Sequence, residues 1–322
     1  MELILENVAI LFLLLFVLGK SASWAVRAAI SLSQLAGLSE LAIGFLVIAT
    51  ISVLPEATVS LFSAFQGVPA LGLGTLLGTS VADLTFVLGI VALLSRRPLK
   101  VESVFIQKDH LYLGFLLLPL ILGFTGYFSR LDGAVLVASG LFFYIYILRT
   151  QRRNPDLPLP AHNGRTLLKE GTMLAGSLVL LALSAYYTVE YAELAALRFG
   201  INAALVGILA VALGAALPEL LFSVQAARHA NSSLALGDIL GTVITDANIV
   251  LGVIILIRPF SFNPRLIILT GVFMLLAGLF SFSLLRSERT LTKQEGVLLL
   301  VFYLLFVIVE FTLRDWTPLI PK

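Results

Sequence analysis

The chain has 322 residues, of which 59% are apolar and 12% are charged, and its mean hydropathy is +1.03. A water-soluble protein of this size does not need so apolar a sequence, so the composition indicates a protein embedded in a lipid bilayer. Cysteine is absent, which excludes disulfides, thiolate metal sites and cysteine nucleophiles. The net charge of +2 carries no information by itself, and we expect no nucleic-acid partner.

A transmembrane helix needs about 20 mostly apolar residues. Such stretches follow one another almost without interruption and predict an all-α protein with ten transmembrane helices. Their approximate bounds are 5–28, 41–65, 70–94, 109–127, 131–149, 168–190, 202–227, 233–257, 265–285 and 295–313. The first is interpreted as a helix rather than a cleaved signal peptide, because its leading residues are acidic and its apolar run is too long.

With ten spans, most Lys and Arg residues fall on one side of the membrane. Basic residues concentrate in cytoplasmic loops, so a multi-pass protein of the cell membrane is predicted, with both termini extracytoplasmic and the 150–167 loop cytoplasmic. This loop is rich in Pro and charge and reads as a linker. It separates residues 1–149, the first five-helix repeat, from residues 168–322, the second.

An internal repeat underlies this division. Residues 41–64 align without gaps with residues 204–227, and 71–89 align with 234–252 at the same offset. The shared residues include a Pro-Glu pair, a Gly-Thr pair and an Asp, which chance similarity of apolar segments would not produce. Each half has five spans, an odd number, so the second half enters from the opposite side. That makes an inverted repeat, in which transporters place a binding site between the halves.

Four acidic residues lie well inside the predicted spans, namely Glu56, Asp83, Glu219 and Asp246. A mid-bilayer Asp costs about 2.5–3.5 kcal/mol, so four carboxylates need a charged partner to offset them. One reading is that each is protonated and hydrogen-bonds between helices. Because the four are related by the repeat, we favour a common site.

Hydroxyl groups accompany these acids at helical spacing. Thr79 precedes Asp83 by one turn, Thr242 precedes Asp246, and Ser52 precedes Glu56. Thr75 and Asp238 extend the two Asp stripes by another turn. All are oxygen donors, which hard cations such as Ca²⁺ prefer in sets of about six to eight.

Each Glu follows a proline. Pro55 and Pro218 lack an N–H, so the backbone carbonyls of Ile51 and Gly214 are predicted to lose their helical partners and to be available as cation ligands. An ordinary proline kink is the alternative. Glycines recur around both Asp residues, and either close helix packing or access to the site would account for them.

At these residues the chain resembles the calcium/cation antiporter superfamily, which includes Na⁺/Ca²⁺ exchangers. That family pairs Gly-Thr-Ser-x-Pro-Glu stretches with Gly-Ser-Asn-x-x-Asn/Asp stretches; here they read ISVLPE (51–56), GAALPE (214–219), GTSVAD (78–83) and GTVITD (241–246). The resemblance implies alternating access. Ca²⁺ would exchange against Na⁺ or H⁺ at Glu56 and Glu219, with Asp83, Asp246, Thr79 and Thr242 completing the site. It also implies that long first and sixth helices, 5–28 and 168–199, slide across the core.

Two departures from the family pattern bear on the counter-ion. The Thr-Ser pair before Pro-Glu is Ser52-Val53 in one repeat and Ala215-Ala216 in the other, so hydroxyl ligands are missing. Asp83 stands where sodium-coupled members commonly have Asn. Four clustered carboxylates cannot all stay ionised without a cation, so H⁺ is a candidate counter-ion beside Na⁺.

The sequence leaves a cation channel as the main alternative, since carboxylates can also select ions passively. An aspartyl protease is disfavoured because ALGD (235–238) has no Tyr-Asp partner in the chain. We therefore expect a non-enzymatic secondary antiporter. No cofactor is expected, the partners are inorganic cations and lipid, and the oligomeric state is open, with a monomer compatible.

Overall fold

The computed structural model describes residues 2–35, 52–100, 109–150, 164–228, 232–287 and 290–312. Seven uninterrupted helices are α1 (Glu2–Leu35), α2 (Leu54–Gln66), α4 (Asp109–Gly123), α5 (Arg130–Thr150), α6 (Gly164–Phe199), α9 (Pro264–Ser287) and α10 (Lys293–Thr312). In the described part of the chain, seven helices are long and apolar enough to cross a membrane, and Leu111–Gly123 is a shorter apolar helix.

Three further helices are interrupted by π-helical turns. Helix α3 runs through Pro69–Ala82, a π segment at Asp83–Val87, and Leu88–Leu94; α8 runs through Ser232–Ile244, a π segment at Thr245–Val250, and Leu251–Ile257. Helix α7 comprises Ala203–Val206, a π segment at Gly207–Val211, Ala212–Ala215 and, after a break, Leu217–Arg228. The π segments of α3 and α8 occupy matching positions in the repeat, so this deformation belongs to both halves.

The helix ends depart from the predicted spans. Helix α1 ends at Leu35 rather than 28, and α6 begins at Gly164 and ends at Phe199. The apolar pattern marks only the part of a helix that suits lipid, whereas the backbone hydrogen bonding continues into polar residues. The predicted second span lies outside the described residues from 41 to 51.

Four two-residue strands were not predicted. Strand β1 (Leu99–Lys100) pairs antiparallel with β4 (Thr290–Leu291), and β2 (Tyr127–Phe128) pairs antiparallel with β3 (Phe260–Ser261). Each pair joins a connecting segment of one half to a connecting segment of the other. The described fold is otherwise helical.

The buried apolar residues form two groups. One lies between α1, α6 and the facing surfaces of α2 and α7, and includes Leu18, Ala22, Ala185 and Val189. The other fills the space among α3, α4, α5, α8, α9 and α10. Helices α1 and α6 therefore pack on each other and against one side of the remaining bundle.

Glycines bring the two halves into backbone contact. A Cβ at Gly89 of α3 would lie 2.8 Å from the Gly296 carbonyl oxygen of α10, and a Cβ at Gly252 of α8 would lie 2.8 Å from the Gly133 carbonyl oxygen of α5. These two contacts occupy equivalent places in the repeat. The packing interpretation is therefore supported for Gly89 and Gly252, whereas a Cβ at Gly237 would meet no atom within 4 Å.

Gly252→Ala is expected to destabilise the protein by about 1–3 kcal/mol, because the new methyl group would overlap the Gly133 carbonyl. The thermal unfolding midpoint in detergent measures this. Gly176→Ala in α6 is the matched control, since no atom lies within 4 Å of a Cβ there. Equal midpoints for the two variants would contradict the proposed contact.

Candidate cation site

Both Pro-Glu helices begin at the same kind of backbone break. Val53 forms a turn with φ −73° and ψ −13° just before α2, and Ala216 has φ −72° and ψ −6° at the break in α7. Pro55 and Pro218 then occupy the first turn, where a missing N–H costs no helical hydrogen bond. The proline therefore lies in the first turn of a helical segment in each half.

The break places each Glu in the first turn of a helix. Glu56 lies in the first turn of α2 and Glu219 in the first turn of the final segment of α7. The helix dipole favours negative charge at this end. The same local sequence thus supplies a buried carboxylate and a favourable backbone field in both halves.

The structure describes only one of the two backbone carbonyls that were predicted to bind a cation. Ile51 lies outside the described residues. The Gly214 carbonyl accepts a backbone N–H at the break, so it is not left without a partner as the sequence argument assumed. The tighter turn at Ala216 supplies this donor. A carbonyl oxygen has two lone pairs, so the Gly214 carbonyl can still bind a cation through the second one.

The four predicted carboxyl groups are all fully buried. No described residue donates a hydrogen bond to either oxygen of Glu56, Asp83 or Glu219, or to Oδ1 of Asp246. Asp246 Oδ2 accepts from Thr79 Oγ1 at 3.1 Å, across the two halves. Buried polar atoms nearly always have partners, so this concentration of unpartnered acceptors is unusual.

The carboxyl groups form two pairs that the repeat relates. Asp246 is the strongest electrostatic neighbour of Glu56, and Asp83 is that of Glu219. No hydrogen bond joins the Asp83 and Glu219 carboxyl groups in the structure. Two carboxylates offer only acceptors, so this pair forms a hydrogen bond only when one of them carries a proton. Each pair joins one half to the other.

Asp238 of α8 is a fifth carboxyl group of this cluster, and the sequence analysis missed its role. It is buried, with Ser52 Oγ donating to Oδ1 at 3.1 Å and Ser223 Oγ donating to Oδ2 at 3.2 Å. It also lies within electrostatic reach of Glu56 and Glu219. Its place in the polar stripe was the available signal, but Thr75 at the equivalent position of the first half obscured it.

The hydroxyl groups only partly follow the prediction. Thr79 contacts Asp246, as a shared site requires, whereas Ser52 bonds to Asp238 and Thr242 Oγ1 donates to the Asp238 backbone carbonyl at 2.9 Å. Within the described residues, no three His, Asp or Glu side chains converge closely enough to hold a metal ion. A cation bound in this arrangement would therefore draw on one carboxyl pair together with hydroxyl, carbonyl or water oxygens.

The π segments are held by polar contacts from neighbouring helices. Ser281 of α9 donates to the Leu84 carbonyl at 2.6 Å, and Asn248 donates to the Phe115 carbonyl of α4 at 3.4 Å while accepting from Ser139 of α5. The Ser281 contact gives a donor to a carbonyl of the α3 π segment, and the Asn248 contacts tie the α8 π segment to α4 and α5. Sequence periodicity could not reveal them, because the partners lie on distant helices.

Three tyrosines lie around the cluster and were also missed. Tyr112 donates to the Leu240 carbonyl at 3.0 Å, and Tyr144 bonds to Thr245. The buried Tyr303 hydroxyl has no partner among the described residues, although Asp83 is an electrostatic neighbour. All three are on helices without the repeat motif.

Comparison with known proteins places this arrangement in a family. The family model for the sodium/calcium exchanger protein matches residues 6–150 and 171–312. The inner membrane protein YrbG of Escherichia coli is 29% identical, over 90% of this chain and 91% of the relative. The sodium/calcium exchanger MaX1 of Methanosarcina acetivorans is 26% identical, over 96% of this chain and 99% of the relative.

Solved structures agree on the fold. A structure of the sodium-calcium exchanger NCX_Mj, soaked with Na⁺ and Sr²⁺, superposes with a TM-score of 0.68 at 23% identity and covers 95% of this chain and 99% of that chain. The family match extends over nearly the whole described chain and includes both Pro-Glu helices and both Asp helices. The chain is therefore a multi-pass membrane protein that belongs to the sodium/calcium exchanger protein family.

Proposed function

We propose that the protein is a secondary antiporter that exchanges Ca²⁺, or a similar divalent cation, for Na⁺ or H⁺ by alternating access. The observation that carries this proposal is the cluster of fully buried carboxyl groups, drawn from both halves and largely without donors. In the described part of the chain, the buried polar side chains include no Lys, Arg or His to neutralise them. Protons or bound cations must do so instead.

All ten predicted spans, we propose, cross the membrane as two inverted five-helix repeats. The matching breaks at Val53 and Ala216 and the matching π segments of α3 and α8 support a structural repeat. Residues 1–149 and 168–322 would be the two repeats and 150–167 the cytoplasmic linker. Both termini would then be extracytoplasmic, as the distribution of basic residues favours.

In this proposal Glu56 and Glu219 are the principal metal ligands, and Asp83 and Asp246 complete the metal site. Thr79 would position Asp246, to which it already donates a hydrogen bond. Ser52, Thr242 and the carbonyls of Ile51 and Gly214 would be further oxygen ligands. A divalent ion would enter when the two carboxyl pairs draw together, since Ca²⁺ favours several carboxylate oxygens.

The packing of α1 and α6 against one side of the bundle supports alternating access. Both helices contact the rest through small and apolar residues such as Ala22 and Ala185. Such a surface offers few directional bonds to break when one body slides over another. A passive channel remains the second candidate, and the family match does not favour it.

Purified protein in liposomes is expected to take up Ca²⁺ only against an outward gradient of Na⁺ or H⁺. The measurement is ⁴⁵Ca²⁺ uptake with each gradient imposed separately and with neither. A channel would pass Ca²⁺ down its own gradient with no counter-ion. Uptake of that kind, at the same rate with and without a counter-ion gradient, would contradict antiport.

Glu219→Gln is expected to lower the rate of Ca²⁺ exchange more than about 100-fold, because it removes a charged ligand. Mutation of residues that only support metal ligands typically costs about 10–100-fold. Glu310→Gln is the matched control. Glu310 is a buried carboxyl group of α10 that accepts from Thr270 at 2.7 Å, away from the cluster. Comparable unfolding midpoints would show intact folding, and wild-type exchange by Glu219→Gln would remove this residue from the site.

Asp83→Asn is expected to shift coupling from H⁺ towards Na⁺, because it removes a protonatable group from the Glu219 pair. The measurement is the ratio of Ca²⁺ uptake driven by a Na⁺ gradient to uptake driven by a proton gradient, which should rise several-fold. An unchanged ratio, in a variant that still exchanges Ca²⁺, would show that Asp83 does not set the counter-ion.

A further inference from the structure

The C-terminal end of α2 contacts α6, one of the two helices that pack on one side of the bundle. Gln66, the last residue of α2, donates through Nε2 to the Tyr186 backbone carbonyl of α6 at 3.2 Å. One turn earlier on α2, the Phe62 ring meets the Tyr186 ring edge to face, with the ring centroids 5.6 Å apart. The last turn of α2 therefore holds Tyr186 at both its backbone and its ring.

The same end of α2 is also bound to α8. Arg258, directly after α8, donates through Nη1 to the Ala64 carbonyl at 2.7 Å and to the Phe65 carbonyl at 3.1 Å. The helix dipole favours a cation at a helix C-terminus. Arg258 thus ties α2 to the helix that carries Asp246. A movement of α6 relative to α2 and α8 would break the contacts of Tyr186.

The neighbouring buried residues of α6 make contacts of a different kind. Ala185 and Val189 belong to the buried apolar group that also contains Leu18 and Ala22 of α1. Apolar contacts of this kind are non-directional, whereas a hydrogen bond and an edge-to-face ring pair depend on geometry. Displacement of α6 by one helical turn, about 5.4 Å, would carry the carbonyl and the ring of Tyr186 away from both partners on α2.

The repeat does not reproduce this contact in the other half. At the repeat offset Tyr186 aligns with Ser23 of α1, whose hydroxyl donates to the Gly19 carbonyl of its own helix at 2.8 Å. Phe62 aligns with Gln225, so the ring pair has no aromatic equivalent. A contact present in only one half stabilises one arrangement of α6 without stabilising the repeat-related arrangement of α1.

Gln66 lies ten positions beyond Glu56, about 15 Å along the helix. We propose that Gln66 and Phe62 form a latch on Tyr186 that keeps the passage to Glu56 closed at the C-terminal end of α2 and opens when α6 moves. The inference rests on the proposed alternating access and names the contact that stabilises one of its two states. The proposed topology places this end of α2 on the extracytoplasmic side.

The first test measures access to Val59, a fully buried residue of α2 in the apolar group shared with α1 and α6. Because the chain has no cysteine, Val59→Cys gives a single reporter for a charged maleimide in the purified full-length protein in lipid nanodiscs. Gln66→Met keeps the side-chain length and removes the donor, and Phe62→Leu removes the ring. Each is expected to speed labelling about 2–10-fold, which corresponds to loss of one hydrogen bond or one aromatic pair. Gln294→Met, at an exposed position of α10, is the matched control and should label at the reporter's own rate.

The second test fixes the latch covalently. Gln66→Cys combined with Tyr186→Cys, linked by a short bifunctional thiol reagent, is expected to lose nearly all Ca²⁺ exchange and to regain it on reduction. The control link is Lys100→Cys with Thr290→Cys. Lys100 and Thr290 are register partners of β1 and β4, away from α6, so this link should leave exchange intact.

The outcomes separate the latch from the antiporter. Equal labelling rates in Gln66→Met and Gln294→Met would show that the Tyr186 contacts only pack the helices, and the latch is overturned. Undiminished exchange by the linked Gln66→Cys, Tyr186→Cys variant overturns the latch while antiport stands. If labelling speeds up as expected but the wild type exchanges no Ca²⁺ under any gradient, the latch stands and the proposed function fails.

Discussion

Carboxyl groups that have no donor cannot remain charged in a dry membrane interior, and the architecture of this protein follows from that constraint. Water and basic side chains are the usual remedies, and the described buried residues include no basic group. Two helix breaks, two π turns and two hydrogen bonds between the halves involve the acids of this cluster. A structure that holds them unpartnered at such cost is suited to a mobile positive charge rather than a permanent one.

The helix breaks and the π segments position the acidic residues in the same way in both halves. Val53 and Ala216 each precede a helical segment that has a proline in its first turn, and this sets the following Glu at a favourable helix end. The π segments place Asp83 and Asp246 opposite those Glu residues. Because π turns recur at functional sites in proteins, their matched occurrence here agrees with a shared role for the two Asp helices.

Much of this could be predicted from residues whose chemistry conflicts with lipid. Four acids within predicted spans and two Pro-Glu pairs predicted a shared cluster and an internal repeat, and the structure buries all four acids. Features that depend on partners from other helices could not be predicted, such as the hydrogen bond from Ser52 to Asp238 and the contact of Ser281 with a π segment. The backbone donor to the Gly214 carbonyl was missed because the exact turn at Ala216 could not be predicted. Hydropathy likewise predicted apolar helices but not the ends of α1 and α6, because helical hydrogen bonding continues into polar residues.

The most direct measurement of the central claim is a structure of the protein in Ca²⁺, with Sr²⁺ as a heavier substitute that can be located by anomalous scattering. We predict an ion between Glu56 and Glu219, with carboxylate oxygens about 2.3–2.6 Å from Ca²⁺. An ion bound elsewhere in a protein that exchanges Ca²⁺, with these carboxyl groups still apart, would contradict it.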